Sequence, residues 1–126
     1  MIARIVLCFV CCLLAFSIAT AQGKSKAFHT EGTFSSITAG PGGDYGGMQV
    51  YLTDSDGQFY ATVTLAEGVL LAPVLVKVKA DIENRKIEFV LPNEAGSRKF
   101  TGTVSPNTLT LFEGQTKIIL KRKCYN

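Results

Sequence analysis

An all-β chain of about eight short antiparallel strands is the fold class this sequence predicts, and three observations predict it. Past Lys26, apolar and polar residues alternate with a period of two. Turn residues interrupt that alternation every 8 to 15 positions. No segment carries an apolar stripe at helical spacing. Eight sequential strands with one apolar face need that face covered. Closing or flattening the meander into an up-and-down β-barrel covers it and pairs the edges. A two-sheet β-sandwich is the alternative.

The strands are expected near residues 28–37, 47–53, 58–65, 73–80, 86–91, 98–104, 108–112 and 116–123. Met48, Val50 and Leu52 share one face, and Phe59, Ala61, Val63 and Leu65 repeat it on the next strand. Val74, Val76 and Val78 follow, then Ile87, Phe89 and Leu91, then Phe100 and Val104. Leu109 and Leu111 with Ile118 and Leu120 complete the set.

Turn chemistry checks the register, because a slip of one residue reverses every face. Asp56-Gly57 as a type I′ turn sets Val50 opposite Val63 and Leu52 opposite Ala61. Gly114-Gln115 as a type II′ turn sets Leu111 opposite Ile118. Ser105-Pro106-Asn107-Thr108 reads as a type I turn that pairs Val104 with Leu109. A turn centred on Ile82-Glu83 pairs Val78 with Ile87. All four hairpins agree with the face assignment.

Residues 1–21 read as a secretory signal peptide. Arg4 supplies the positive charge, Ile5 to Ile18 is almost unbroken apolar sequence, and Ala19-Thr20-Ala21 is a small-x-small cleavage site. The apolar run is short for a bilayer span. Cleavage after Ala21 leaves a single domain of residues 22–126, secreted or periplasmic. It also removes Cys8, Cys11 and Cys12, so Cys124 alone remains and no internal disulfide forms. None of those cysteines follows the Leu-x-Gly/Ala pattern that lipid attachment uses.

After cleavage 12 Lys and Arg stand against 10 Asp and Glu. That balance is too mild to imply nucleic acid or an anionic membrane surface. No further apolar run reaches membrane-helix length, so no membrane span is expected. A monomer or weak dimer is the expected assembly.

The chain resembles small secreted bacterial β-domains at Gly43-Asp44-Tyr45-Gly46-Gly47, Leu65-Ala66-Glu67-Gly68, Pro73-Val74-Leu75-Val76 and Lys99-Phe100-Thr101-Gly102. Its strand pattern over 28–123 also resembles the lipocalin and avidin group of barrels. The Gly-x-Trp signature of lipocalins is absent, and so is avidin's aromatic biotin box. The resemblance implies a fold and transfers no functional residue.

No catalytic constellation is visible, and the expectation is a protein that is not an enzyme. His29 is the only histidine, and no serine lies in a Gly-x-Ser-x-Gly elbow. One His and one Cys do not make a zinc site. Asp54-Ser55-Asp56-Gly57 begins like a calcium loop, but Gln58 and Phe59 enter a strand where further ligands are needed. No metal, cofactor or nucleotide is expected; the glycines between Gly40 and Gly47 precede no helix that would cradle phosphate.

Three features invite a binding role. Tyr51, Tyr60, Leu75 and Val90 fall on the outward face of consecutive strands, where tyrosines often mark an interface. Cross-strand packing between lysine stems is the plainer account. The loop from Gly40 to Gly47 offers Asp44 and Tyr45 at a rim, and Val69-Leu70-Leu71 is apolar where a loop should be polar. Those three either plug one end of the barrel or form a contact patch. Cys124, beside Lys121, Arg122 and Lys123, is either a reactive thiol or a terminal cysteine without a role.

Two functions follow. The first is a non-enzymatic barrel that binds a small hydrophobic ligand. The second is a protein-binding module, an inhibitor or an envelope or extracellular partner, that uses the Tyr51/Tyr60 face or the Gly40–Gly47 loop.

Overall fold

Residues 29–93 and 96–124 are described by a computed structural model of the chain. Nine strands form one antiparallel sheet: β1 (Gly32–Ser35), β2 (Thr38–Ala39), β3 (Tyr45–Ser55), β4 (Gln58–Leu70), β5 (Val74–Asp81), β6 (Lys86–Asn93), β7 (Gly96–Val104), β8 (Thr108–Glu113) and β9 (Thr116–Arg122). Neighbours in sequence are neighbours in space from β3 to β9, and β1 pairs with both β3 and β9. That double pairing closes eight strands into a barrel, with β2 as an extra strand on β3. It decides the architecture against the sandwich. The signal peptide expected at residues 1–21 lies outside the described residues.

Closure follows from the alternation. The inward row Phe34–Val50–Val63–Val74 crosses four strands, and Leu52–Ala61–Val76 runs parallel to it. Three phenylalanines, Phe34, Phe89 and Phe100, sit fully buried at the centre with Leu109, Leu111 and Leu120. Phe89 and Phe100 stack at 5.2 Å between centroids, 23° apart. Each such side chain contributes about 1.5–3 kcal/mol by leaving water. The wall also needs one missing side chain. At Gly102 a Cβ would lie 2.7 Å from Leu111 Cδ2 and 2.9 Å from the Thr110 carbonyl oxygen.

The expected turns hold in three hairpins. Asp56 and Gly57 both take positive φ (51° and 82°), as a type I′ turn demands, and Val50 faces Val63. Val104 faces Leu109 and Leu111 faces Ile118. The fourth hairpin differs. Ala80, not Val78, pairs with Ile87, because the turn is centred one residue later, on Glu83-Asn84, which shifts the pairing by two. Arg85 N donates to Ile82 O at 3.2 Å, Arg85 takes φ 57°, and Asp81 accepts from the Asn84 amide. A shift of two keeps every face, which is why alternation could not reveal it.

Two further expectations are corrected at the N-terminal side. The single strand expected over 28–37 begins at Gly32 and breaks at Ser36 and Ile37 into β1 and β2. Both halves keep one register on β3, Ser35 opposite Gln49 and Thr38 opposite Gly46. The loop expected from Gly40 to Gly47 is instead a tight turn: Gly40 N donates to Asp44 O at 2.7 Å, and Tyr45, Gly46 and Gly47 already belong to β3. Gly47 is required there. Its φ is 111°, and a Cβ would lie 2.5 Å from the Ser36 carbonyl oxygen.

Candidate functional site

Each end of the barrel is closed by an arginine on the inward face. At the end that carries the Gly114-Gln115 turn, Arg98 lies two residues before Phe100 on β7, and Glu113 two after Leu111 on β8. Their spacing turns both inward, where they form a bidentate pair at 2.6 and 2.8 Å. The Arg98 guanidinium sits 5.3 Å over the Phe100 ring. The hydrogen bond to Arg98 holds the Glu113 carboxyl below its ordinary range, and Glu113 in turn raises the Arg98 pKa.

Arg122 closes the opposite end. It donates to the carbonyls of His29, Glu31 and Pro106, each at 2.7 Å, and lies 4.5 Å over the Phe34 ring. The expected basic cluster around Cys124 is therefore divided, because Arg122 is committed to the barrel end. Cys124 is a free, exposed thiol just past β9. Sequence reasoning overlooked Arg98 and read Arg122 only as part of the basic cluster. The signal was present, since each sits two positions from a core residue on its strand.

Beside Arg98 a cup of about 260 Å³ opens over Met48, Leu65 and Ile118, with Glu67 at its edge. Below it the phenylalanine cluster fills the barrel. An interior cavity for a small hydrophobic ligand would have to displace those side chains. The cup itself is smaller than the ~300–1,000 Å³ usual for ligand pockets.

The outer face is more distinctive. Tyr51, Thr62 and Leu75 make one cross-strand row over β3, β4 and β5, with Tyr51 and Leu75 exposed. Tyr60, half-buried, belongs to the next row between Thr53 and Lys77. It stands diagonal to Tyr51 and Leu75. Val90 is exposed on β6, across a gap in the wall.

β3 and β4 also outrun the barrel. Their ladder continues to Tyr45 opposite Gly68, whereas β5 meets β4 only as far as Val63 opposite Val74. Val69 and Leu70 belong to β4 past Gly68, the end of this overhanging ribbon, where Gly68 takes φ 83° and the Leu71 amide donates back to Leu65 O at 2.9 Å. All three are exposed, at 63%, 52% and 41%. The expected plug is not formed; the contact-patch alternative matches their exposure. Tyr45 is exposed at the ribbon's outer end, next to the exposed Asp44 in the turn.

The gap lies between β5 and β6. Cross-strand pairs run only from Asp81–Lys86 to Lys79–Glu88. Beyond that point β5 stays on β4 and β6 stays on β7. A groove of about 380 Å³ opens between them over Val76 and Phe89, walled by Val90 and Pro92 and rimmed by Lys77 and Lys79.

Among the described residues no three His, Cys, Asp or Glu side chains converge as metal ligands, and no helix is long and apolar enough to cross a membrane. The chain matches no protein-family profile, no curated protein and no solved structure.

Proposed function

We propose that this chain is a non-enzymatic protein-binding module, secreted or periplasmic once its leader is removed, that engages a partner across β3–β5 and the overhanging ribbon. One observation carries the reading. Of ten large hydrophobic residues exposed among the described residues, six (Tyr45, Tyr51, Val69, Leu70, Leu71 and Leu75) lie on these three strands and the connection between β4 and β5. Scattered surface apolars need no account, but six on three consecutive strands and their connection, two of them tyrosines, match what an interface core requires. A small hydrophobic ligand, the other expectation, would have to sit in the cup beside Arg98 or in an open groove of the wall.

Position-specific photo-crosslinking in the secreting cell tests this. A benzoylphenylalanine at Leu70 or at Leu75 should form an adduct with one and the same second protein. The same group at Ile119, equally exposed on β9, should form none. No adduct, or the same adduct from Ile119, would refute the reading; an adduct of two copies of the chain would replace it with self-association.

A further inference from the structure

The gap between β5 and β6 narrows what the partner presents. From Val74 to Val78, β5 is laddered on one side only, by β4. Backbone amides and carbonyls alternate between the two sides of a strand, so alternate groups of this stretch face the gap. The stretch is five residues, about 17 Å long at strand rise. Strand β6 is the poorer edge, because Pro92 removes a donor from it.

The charge at the gap is mostly basic. Glu88 also lines it, opposite Lys79, and is engaged by Lys99 at 3.1 Å. Among the described residues neither Lys77 nor Lys79 forms an ion pair. Lysines on an open edge also discourage sheets from pairing with copies of themselves. They do so by selecting against basic or neutral strands, and they leave an acidic one favoured.

We propose that the β5–β6 groove takes up an extended segment of the protein partner, added as a strand on β5, in which apolar and acidic residues alternate. The alternation follows from the pleat. Every second side chain of an added strand turns inward over Val76 and Phe89, and the intervening ones turn outward beside Lys77 and Lys79. Main-chain hydrogen bonds supply affinity, and the two faces supply selectivity. This inference rests on the protein-binding reading above and specifies how the partner is held.

The probe is a fluorescein-labelled octapeptide of alternating Val and Glu, titrated with the purified protein by anisotropy and followed by amide chemical shifts. The peptide should bind, with shift changes concentrated at Val74–Val78 and around Phe89 and Val90. A Val–Lys peptide should bind at least about tenfold more weakly, as should the Val–Glu peptide on a Lys77→Glu, Lys79→Glu protein. Methylating alternate peptide amides should abolish binding. Lys77→Gln with Lys79→Gln should weaken binding in the same direction by a smaller factor, and it covers the case in which charge reversal disturbs folding. No binding at about 1 mM, the weak end of specific recognition, overturns the inference. So does equal binding of the lysine peptide or indifference to methylation. If the peptide fails while crosslinks persist at Leu70 and Leu75, strand addition falls and the interface stands; if the crosslinks fail as well, both fall.

Discussion

Arg122→Met removes one guanidinium and keeps most of its aliphatic stem, which isolates what closes the barrel. The β1–β9 seam has only two cross-strand pairs, Phe34 with Arg122 and Ser35 with Lys121. Three hydrogen bonds of 2.7 Å from Arg122 tie the chain before β1 and the β7–β8 turn to the end of β9. Charged-donor hydrogen bonds contribute about 1.5–3 kcal/mol each when desolvated. These lie at a rim where water competes, so about 0.5–1 kcal/mol each is the appropriate figure. The stacking over Phe34 adds about 0.5–1 kcal/mol. The variant should therefore lose about 2–4 kcal/mol, a large share of the 5–15 kcal/mol typical of a domain. Urea denaturation followed by tyrosine fluorescence gives the number directly. A thermal melt should fall by roughly 10 °C or more. Hydrogen exchange at the Lys123 amide, which donates to Thr33 O at 2.8 Å, should accelerate with it. Lys121→Met, one residue away and exposed, should stay within about 0.5 kcal/mol of the parent. If Arg122→Met also stays within that margin, the seam is held by its backbone pairs and packing alone, and the role given to the arginine is wrong.

Gly102→Ala should destabilise by about 1–3 kcal/mol, because the added Cβ meets the Thr110 carbonyl and Leu111 in a filled interior; an unchanged urea midpoint would show that the β7–β8 wall yields freely. Glu113→Gln should cost about 1 kcal/mol at pH 7, the value of a bidentate pair whose side chains are 30% and 31% exposed. The folded Glu113 pKa lies below its unfolded value, so its stabilisation is present above the unfolded pKa and is lost as pH falls through the folded one. The difference between parent and variant should thus close below the ordinary carboxylate range, and a difference equally large in acid would refute the ionic origin.

Much of this fold was legible because its determinants are local. Asp56-Gly57 favours positive φ at both positions and adopts it here, and that turn alone sets eleven residue pairs between β3 and β4. Alternation did the same for the core, since Met48, Val50 and Leu52 can be buried together on only one face of a strand. Where two registers preserve the faces, as around Ile82 and Glu83, the sequence offered no means of choosing. Asp81, Asn84 and Arg85 chose by closing a longer turn.

The candidate site was less legible, and the reason is range. That Tyr51 and Leu75 face outward follows from parity; that Thr62 sets them in one row, with Tyr60 diagonal, depends on pairing across three strands. Arg98, Glu113 and Arg122 carried the parity of core residues, and only closure shows that inward positions near strand ends can hold charge, because there the interior meets water. What the sequence by itself determined was the eight-strand barrel pattern, the faces of those strands and three of their hairpins, all properties fixed within a few residues by pleat and turn. Only the tertiary structure decided that β1 closes the ring, that the β3–β4 ribbon overhangs, and that β5 parts from β6. Each of those depends on where distant strands end relative to one another, and no local preference encodes it.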